Sequence, residues 1–191
     1  MLILASQSPR RRDLLNSIGV EFEIIVSNYE EDHDIETVPE LLAKAHAINK
    51  AEEVYGRTKE RVGDIILGSD TLVYLSGEIL GKPRDAAQAK EMIQRLSGKI
   101  HQVITAMHFI VIENFEKSLT HIEKTDVTFK SLTNEEIDAY IETEEWQDKA
   151  GAYAIQGAAA SFVAKIEGSF SNVVGLPLES FQRIYAELLN D

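Results

Sequence analysis

The sequence predicts an α/β fold, and three observations predict it. Apolar, strand-like runs alternate with capped helical segments along the chain. The run Leu2-Ile3-Leu4-Ala5 is apolar at every position, as a parallel strand buried on both faces requires. Further on, paired strand-like runs joined by short turns read as antiparallel hairpins. With 191 residues and 44% hydrophobic composition, the chain can build one substantial core or two lobes sharing a sheet, which argues against two independent domains.

Ser6-Gln7-Ser8 ends the first strand. Ser8 suits the N-cap of a following helix and Pro9 its first position, where the missing N–H is no loss and the fixed φ already fits. Such a turn presents free backbone N–H groups and the positive end of a helix dipole, roughly half a charge. Arg10 and Arg11 stand in the first helical turn, which favours Asp or Glu; a bound anion would remove the conflict. Guanidinium forks, the Ser6 and Ser8 hydroxyls and bare N–H groups are all donors, so phosphate suits this place. The competing reading is a solvated basic face on an ordinary helix.

The first helix should end near Ile18-Gly19, and Val20 to Ser27 reads as a second strand with Val20, Phe22 and Ile24 on one face. Tyr29-Glu30-Glu31-Asp32-His33-Asp34 is an acidic loop, either solvated or a source of oxygen ligands for a hard cation; by itself the solvated loop is the preferred reading. Pro39 opens a long helix through Lys50 to Tyr55, with Leu41, Leu42, Ala45, Ile48 and Ala51 as its apolar stripe. Lys50 falls near the end of that helix, where interaction with the dipole accounts for a cation without any chemistry.

Ile65-Ile66-Leu67 and Leu72-Val73-Tyr74-Leu75 read as strands, with Gly68-Ser69-Asp70-Thr71 between them. Asp is a poor strand residue, and a lone buried carboxylate is costly, so Asp70 either needs a partner or makes an Asx-turn that bends the chain. Ser76-Gly77 is a hairpin signal that returns the chain through Ile79-Leu80 to Lys82. The segment Gly77 to Pro83 fails as a P-loop, being one residue short with proline at the Ser/Thr position.

Asp85 to Ser97 is a helix with Asp85 as cap, Gln88 placed as in a capping box, Gly98 just past the end, and Met92, Ile93 and Leu96 inward. Lys99 to Glu113 and Phe115 to Lys130 are long strands joined near Glu113-Asn114, with Val103, Thr105, Met107, Phe109 and Val111 alternating. Thr133-Asn134-Glu135-Glu136 is a second capping box opening a helix through Ile137, Tyr140 and Ile141. Asp148 to Gly157 has too many small residues for a core helix and too little periodicity for a strand, and close backbone approach is one reason for such composition. Ala160 to Ile166 should be a strand, and Pro177 to Leu189 a last helix with Phe181, Ile184, Tyr185 and Leu188 inward.

Composition removes several classes of function. The formal net charge of -13 opposes general affinity for nucleic acid or anionic membranes, so a phosphate ligand would need a local basic pocket. No apolar run approaches the ~20 residues that span a bilayer, and Met1-Leu2-Ile3 lacks the charged start of a signal peptide, so a cytosolic protein is expected. The absence of cysteine excludes disulfides, thiolate zinc sites and cysteine nucleophiles. His33, His46, His101, His108 and His121 show no metal-ligand spacing and read as surface or strand residues.

Four sets of residues, in order along nearly the whole chain, together resemble the Maf family, the septum-formation-protein-like nucleoside triphosphate pyrophosphatases. They are Leu4-Ala5-Ser6-Gln7-Ser8-Pro9-Arg10-Arg11; Ser69-Asp70-Thr71 with Leu80-Gly81-Lys82-Pro83; Leu96-Ser97-Gly98 with His101; and Asp148 to Tyr153, Ile155-Gln156-Gly157 and Val174-Gly175-Leu176-Pro177. The resemblance implies a single domain of mixed α/β fold, similar to inosine triphosphate pyrophosphatases, with an elongated central sheet, flanking helices and two lobes around a substrate cleft. It also implies hydrolysis of a nucleoside triphosphate to monophosphate and pyrophosphate with a divalent cation, Mg²⁺ or Mn²⁺, and a homodimer is a family expectation.

On this resemblance Asp70 falls on the catalytic carboxylate, and Ser6, Arg10, Arg11, Glu31, Lys50 and Lys82 on polar cleft positions. Asp70 and Glu31 become the metal ligands, which overturns the solvated-loop preference for Glu31. Arg10, Thr71 and Gln156 match the branch that resembles dTTP and UTP pyrophosphatases, whereas the 7-methyl-GTP branch carries Trp, Gln and Glu there. A side-chain amide donates and accepts at once, so Gln156 could complement the imide edge of uracil or thymine, modified pyrimidines included. Ser69, where that branch commonly has Ala, and Ala154, commonly Gly, depart from the pattern. A nucleotide-binding regulator of division or septum formation with little catalysis is the alternative, and a nucleic-acid-binding protein built on Arg10-Arg11-Arg12 conflicts with the overall acidity.

Overall fold

A computed structural model of the chain describes residues 1–32, 36–113 and 117–190. Its strands, β1 (Leu2–Leu4), β2 (Phe22–Ile24), β3 (Ile65–Leu75), β4 (Glu78–Leu80), β5 (Ile100–Val111), β6 (Ser118–Phe129) and β7 (Val163–Glu167), join in one seven-stranded sheet, in the order β2-β1-β3-β5-β6-β7 with β4 on β3, and helices flank it, as the expected mixed α/β fold requires. The chain divides into two compact units, one of residues 1–70, 105–123 and 175–191, the other of residues 71–104 and 124–174.

The first unit is built on β1 (Leu2–Leu4), which pairs in parallel with β2 (Phe22–Ile24) on one side and with the start of β3 (Ile65–Leu75) on the other. Parallel neighbours need crossovers, which α1 (Pro9–Ser17) and α2 (Pro39–Thr58) supply. Strand alternation then sorts the apolar run. Leu2, Leu4, Ile65 and Leu67 join Leu15 of α1 and Phe181 and Ile184 of α6 (Leu178–Asn190) in one core cluster, while Ile3, Ala5 and Ile66 join Ala51 and Val54 of α2 in another. The first strand is therefore buried on both faces, as its composition predicts.

Several boundaries differ from the sequence reading. The second strand is three residues rather than eight, because its one partner in the sheet order, β1, is itself three residues long; Ile24 is 41% exposed. The buried stripe of α2 is Leu42, Ala43, His46, Ala47, Ala51, Val54 and Thr58, which leaves Leu41 exposed. That helix runs to Thr58, two turns beyond Lys50, so the dipole does not explain Lys50. Ile65 to Leu75 is one unbroken strand with Asp70 inside it, not two runs around an Asx-turn. His46 is fully buried on α2 with Nδ1 3.1 Å from the Tyr29 hydroxyl, so it is neither a surface nor a strand residue. His33, Asp34 and the Asn114-Phe115 junction lie outside the described residues.

In the second unit the continuation of β3 turns back through Ser76-Gly77, both with positive φ, into the antiparallel β4 (Glu78–Leu80). Asp85 caps α3 (Ala86–Leu96) by accepting from Gln88 N–H at 2.8 Å, while the Gln88 amide oxygen reaches the Arg84 N–H at 2.8 Å rather than that of Asp85. The Thr133–Glu136 box at the start of α4 (Asn134–Glu142) is complete in both directions. Both of the long strands β5 (Ile100–Val111) and β6 (Ser118–Phe129) contribute to both units. Ala160 to Phe162 belong to a 3₁₀ turn, and the last strand, β7 (Val163–Glu167), starts after it and pairs antiparallel with β6. A short helix, α5 (Phe170–Val174), has no counterpart in the sequence reading. The small-residue segment includes a 3₁₀ turn at Ala150–Ala152, where Gly151 has φ +65° and an added Cβ would sit 3.0 Å from the Val73 methyls. Close approach accounts for the glycine. Among the described residues no helix is long and apolar enough to cross a membrane.

His101 packs edge-on to Phe129 and Tyr153 in this unit, with Nε2 2.7 Å from the Tyr153 hydroxyl, and burial depresses its pKa to about 4. The unfolded chain takes up that proton near pH 6.5, so the stability from a neutral His101 is complete above that pH and is lost as pH falls toward 4. The shift corresponds to about 3 kcal/mol. Denaturant melts at pH 7.5 and pH 4.5 should show a smaller loss for His101→Gln than for the unsubstituted chain; equal losses would remove His101 as the cause.

Candidate active site

The turn after β1 folds onto its own side chains. Ser8 begins α1 as expected but makes no side-chain cap; its N–H instead donates to the Ser6 hydroxyl at 3.2 Å. That hydroxyl also accepts from Arg11 Nη1 at 3.1 Å, while Arg11 Nε donates to the Gly175 carbonyl at 2.9 Å. Arg11 is 8% exposed, and burial lowers its pKa, opposed by the negative charges of Asp70 and Glu31 and reinforced by Arg10. The guanidinium thus ties the amino-terminal turn to the approach to α6 and lies in the field of both carboxylates. Arg10 is half-buried, whereas Arg12 is exposed beside Asp13 and covers the helix surface.

Asp70 is 5% exposed on β3, where a carboxylate is tolerated only with a partner. Lys50 of α2 supplies it. Its Nζ donates to Asp70 Oδ1 at 2.7 Å and pairs with Glu31 Oε1 at 2.6 Å, with the Ser69 carbonyl at 3.4 Å. Asp70 Oδ2 is buried without a hydrogen-bond partner among the described residues. The neighbouring Ser69 hydroxyl is likewise buried without a hydrogen-bond partner among the described residues. Among the described residues no group of three or more His, Asp or Glu could hold a metal ion, and the two carboxylates that Lys50 bridges are Asp70 and Glu31.

Six of the expected residues therefore lie in the first unit: Ser6 with Arg11 at the turn, Arg10 on α1, and Glu31, Lys50 and Asp70 in one bridged cluster. The second unit holds the other three. Thr71 is half-buried on β3, Lys82 is exposed after β4, and Gln156 is exposed between two 3₁₀ turns. The Gln156 turn is held by Gly157 N–H to the Ala154 carbonyl at 3.2 Å and by Ala158 N–H to the Glu145 carboxylate at 2.7 Å. Positive φ falls at Gly151 and Ala152, so alanine at 154 meets no left-handed backbone.

Residues 1–188 match the profile of the family described as Maf-like protein. The chain belongs to the Maf family. A dTTP/UTP pyrophosphatase of Bacillus cytotoxicus is 48% identical over 181 residues, 95% of this chain and 92% of that protein. Another, of Alkaliphilus oremlandii, is 50% identical over 179 residues, 93% of this chain and 90% of that protein. Among solved structures, a HAM1 protein from Coxiella burnetii shares the fold with a TM-score of 0.54 at 13% identity, covering 97% of this chain and 98% of that one.

Three residues that hold candidate residues of this Maf chain in place, each within its own unit, escaped sequence reasoning. Gly175 and Arg11 are too far apart in the chain for any local pattern to join them, and Glu145 reads as an ordinary surface acid. Gly68 did carry a signal, since glycine inside a strand often marks close approach of another backbone. A Cβ there would lie 2.1 Å from the Ala47 carbonyl and 2.9 Å from Ala51, so α2 lies directly on β3 and Lys50 reaches Asp70. Gly68→Ala should cost about 1–3 kcal/mol of stability by overpacking. A denaturation midpoint equal to that of the unsubstituted chain would show that the helix does not depend on this contact.

Proposed function

We propose that this chain is a nucleoside triphosphate pyrophosphatase that hydrolyses dTTP and UTP to the monophosphate and pyrophosphate. Its support from comparison is the two relatives of that name, each matched over nine-tenths or more of both chains. Its support from geometry is Asp70, a buried carboxylate with one oxygen on Lys50 and the other without a hydrogen-bond partner among the described residues. A carboxylate so placed can accept a proton from water. Water oxygen then bonds to the α-phosphorus, the bond from that phosphorus to the bridging oxygen breaks, and pyrophosphate leaves.

The site fits a divalent cation, because Asp70 Oδ2 is a buried anionic oxygen without a hydrogen-bond partner among the described residues, and Glu31 is bridged through Lys50 to the same carboxylate. Asp70 and Glu31 would hold Mg²⁺ or Mn²⁺, whose remaining ligands are typically water and phosphate oxygens. When bound, such an ion neutralises phosphate charge. Arg10 and Arg11 contribute cationic charge from the turn after β1, where a phosphate chain suits the helix start. Lys82 is assigned to the leaving group, and Arg10, Thr71 and Gln156 to recognition of the pyrimidine, as the family resemblance implies.

A regulator that only binds nucleotide has no use for a buried carboxylate of this kind, and the acidity of the chain weighs against nucleic acid as ligand. A panel of nucleoside triphosphates with Mg²⁺ or Mn²⁺ tests the reading by product. UTP and dTTP should give monophosphate plus pyrophosphate; diphosphate plus orthophosphate, or binding without turnover, would overturn it. Asp70→Asn at saturating metal should lose on the order of 10²-fold or more in kcat. Near-normal turnover would remove Asp70 from the chemistry.

A further inference from the structure

The Lys50 ammonium does not stand where a simple phosphate contact would. It bridges two carboxylates, 2.6 Å from Glu31 Oε1 and 2.7 Å from Asp70 Oδ1, and its side chain is 12% exposed. We propose that Lys50 is a resident counter-cation: in the nucleotide-free chain its ammonium occupies the place between Glu31 and Asp70 that the divalent cation takes. The metal therefore enters with the nucleotide rather than before it. This inference rests on the reading of Glu31 and Asp70 as the metal-holding pair.

Two carboxylates directed at one point repel unless a cation stands between them. An ammonium prevents this because it is a compact charge with three donors. The same charge excludes a second cation from that point, since like charges a few ångströms apart repel strongly where water is scarce. The Lys50 tip can move while the helix that carries it stays in place. Its backbone is held where α2 meets β3 at Gly68, while the four-carbon stem leaves the tip free to turn. A triphosphate brings the oxygens that give the displaced ammonium new partners, which reconciles the bridge in the free chain with the phosphate-binding position that the family resemblance assigns to Lys50. The exchange is cation for cation, so a positive charge stands between the two carboxylates before and after it.

Binding of Mn²⁺ alone to the full, nucleotide-free chain tests this by calorimetry or by the spin-resonance signal of free Mn²⁺. The unsubstituted chain should bind weakly. Lys50→Met, of similar length and uncharged, should bind one Mn²⁺ at least about tenfold more tightly, within the range by which a neighbouring like charge shifts such equilibria. Mn²⁺ should also raise the melting temperature of Lys50→Met more than that of the unsubstituted chain. Equal or weaker binding by Lys50→Met would overturn the proposal, as would a variant that Mn²⁺ neither stabilises nor brings to a folded state. Protein-bound Mn²⁺ on the unsubstituted chain, measured with a UTP analogue whose α,β-bridging oxygen is replaced by carbon so that it is not hydrolysed, separates the two readings. If it is present and abolished by Glu31→Gln with Asp70→Asn, the metal pair stands and a failure in Lys50→Met counts against Lys50 alone; if it is absent, the metal pair and the proposal fall together.

Discussion

The bridge from Asp70 through Lys50 to Glu31 is the interaction on which the site depends. A carboxylate in the middle of a buried strand is tolerable only if a cation reaches it, and Lys50 reaches it because Gly68 lets α2 lie against β3 with no side chain between them. The same contact aligns Ala51 and Val54 with Ile3 and Ile66 in the apolar cluster on that face. Packing and electrostatics are thus set by one surface of α2. Its inner face supplies the core as well as the charge that makes Asp70 possible.

Arg11 plays a matching part at the amino-terminal turn. A guanidinium with fixed geometry suits a buried position better than an ammonium, and here it is held by the Ser6 hydroxyl and the Gly175 carbonyl while in the field of Asp70 and Glu31. Arg10, Arg11 and Arg12 set three positive charges side by side in a chain whose formal net charge is -13. Such a distribution favours a small anionic ligand over a long polyanion, because the acidic remainder repels any ligand that extends past the turn.

The second unit adds local devices to the buried residues of its strands. A complete capping box starts α4, an aspartate caps α3, and the aromatic rings of Phe129, Tyr153 and Phe162 pack with His101 and Tyr140. Glu145 fixes the turn after Gln156 by accepting from Ala158, and Gly151 lets its own turn approach Val73. The exposed Gln156 is therefore carried on backbone that is pinned on either side.

Local order was legible wherever the signal was local. The both-face apolar run of the first strand, Pro9 at a helix start, the caps of α3 and α4 and the Ser76-Gly77 hairpin each follow from a few neighbouring residues, and all are present. The motifs also named Asp70, Lys50, Glu31 and Arg11 as site residues. What they could not say is which of these groups meet. Local patterns gave Lys50 to a helix dipole and Glu31 to solvent; the family resemblance moved both to a cleft, and the third dimension joined Glu31 to Asp70 through Lys50. The length of β2 and the inward face of α2 were equally out of reach, because a strand ends where its partner ends and a helix turns toward whatever packs on it. The sequence by itself determined the elements and the chemical repertoire; the tertiary structure decided the pairings, since burial of a charge depends on partners tens of residues away.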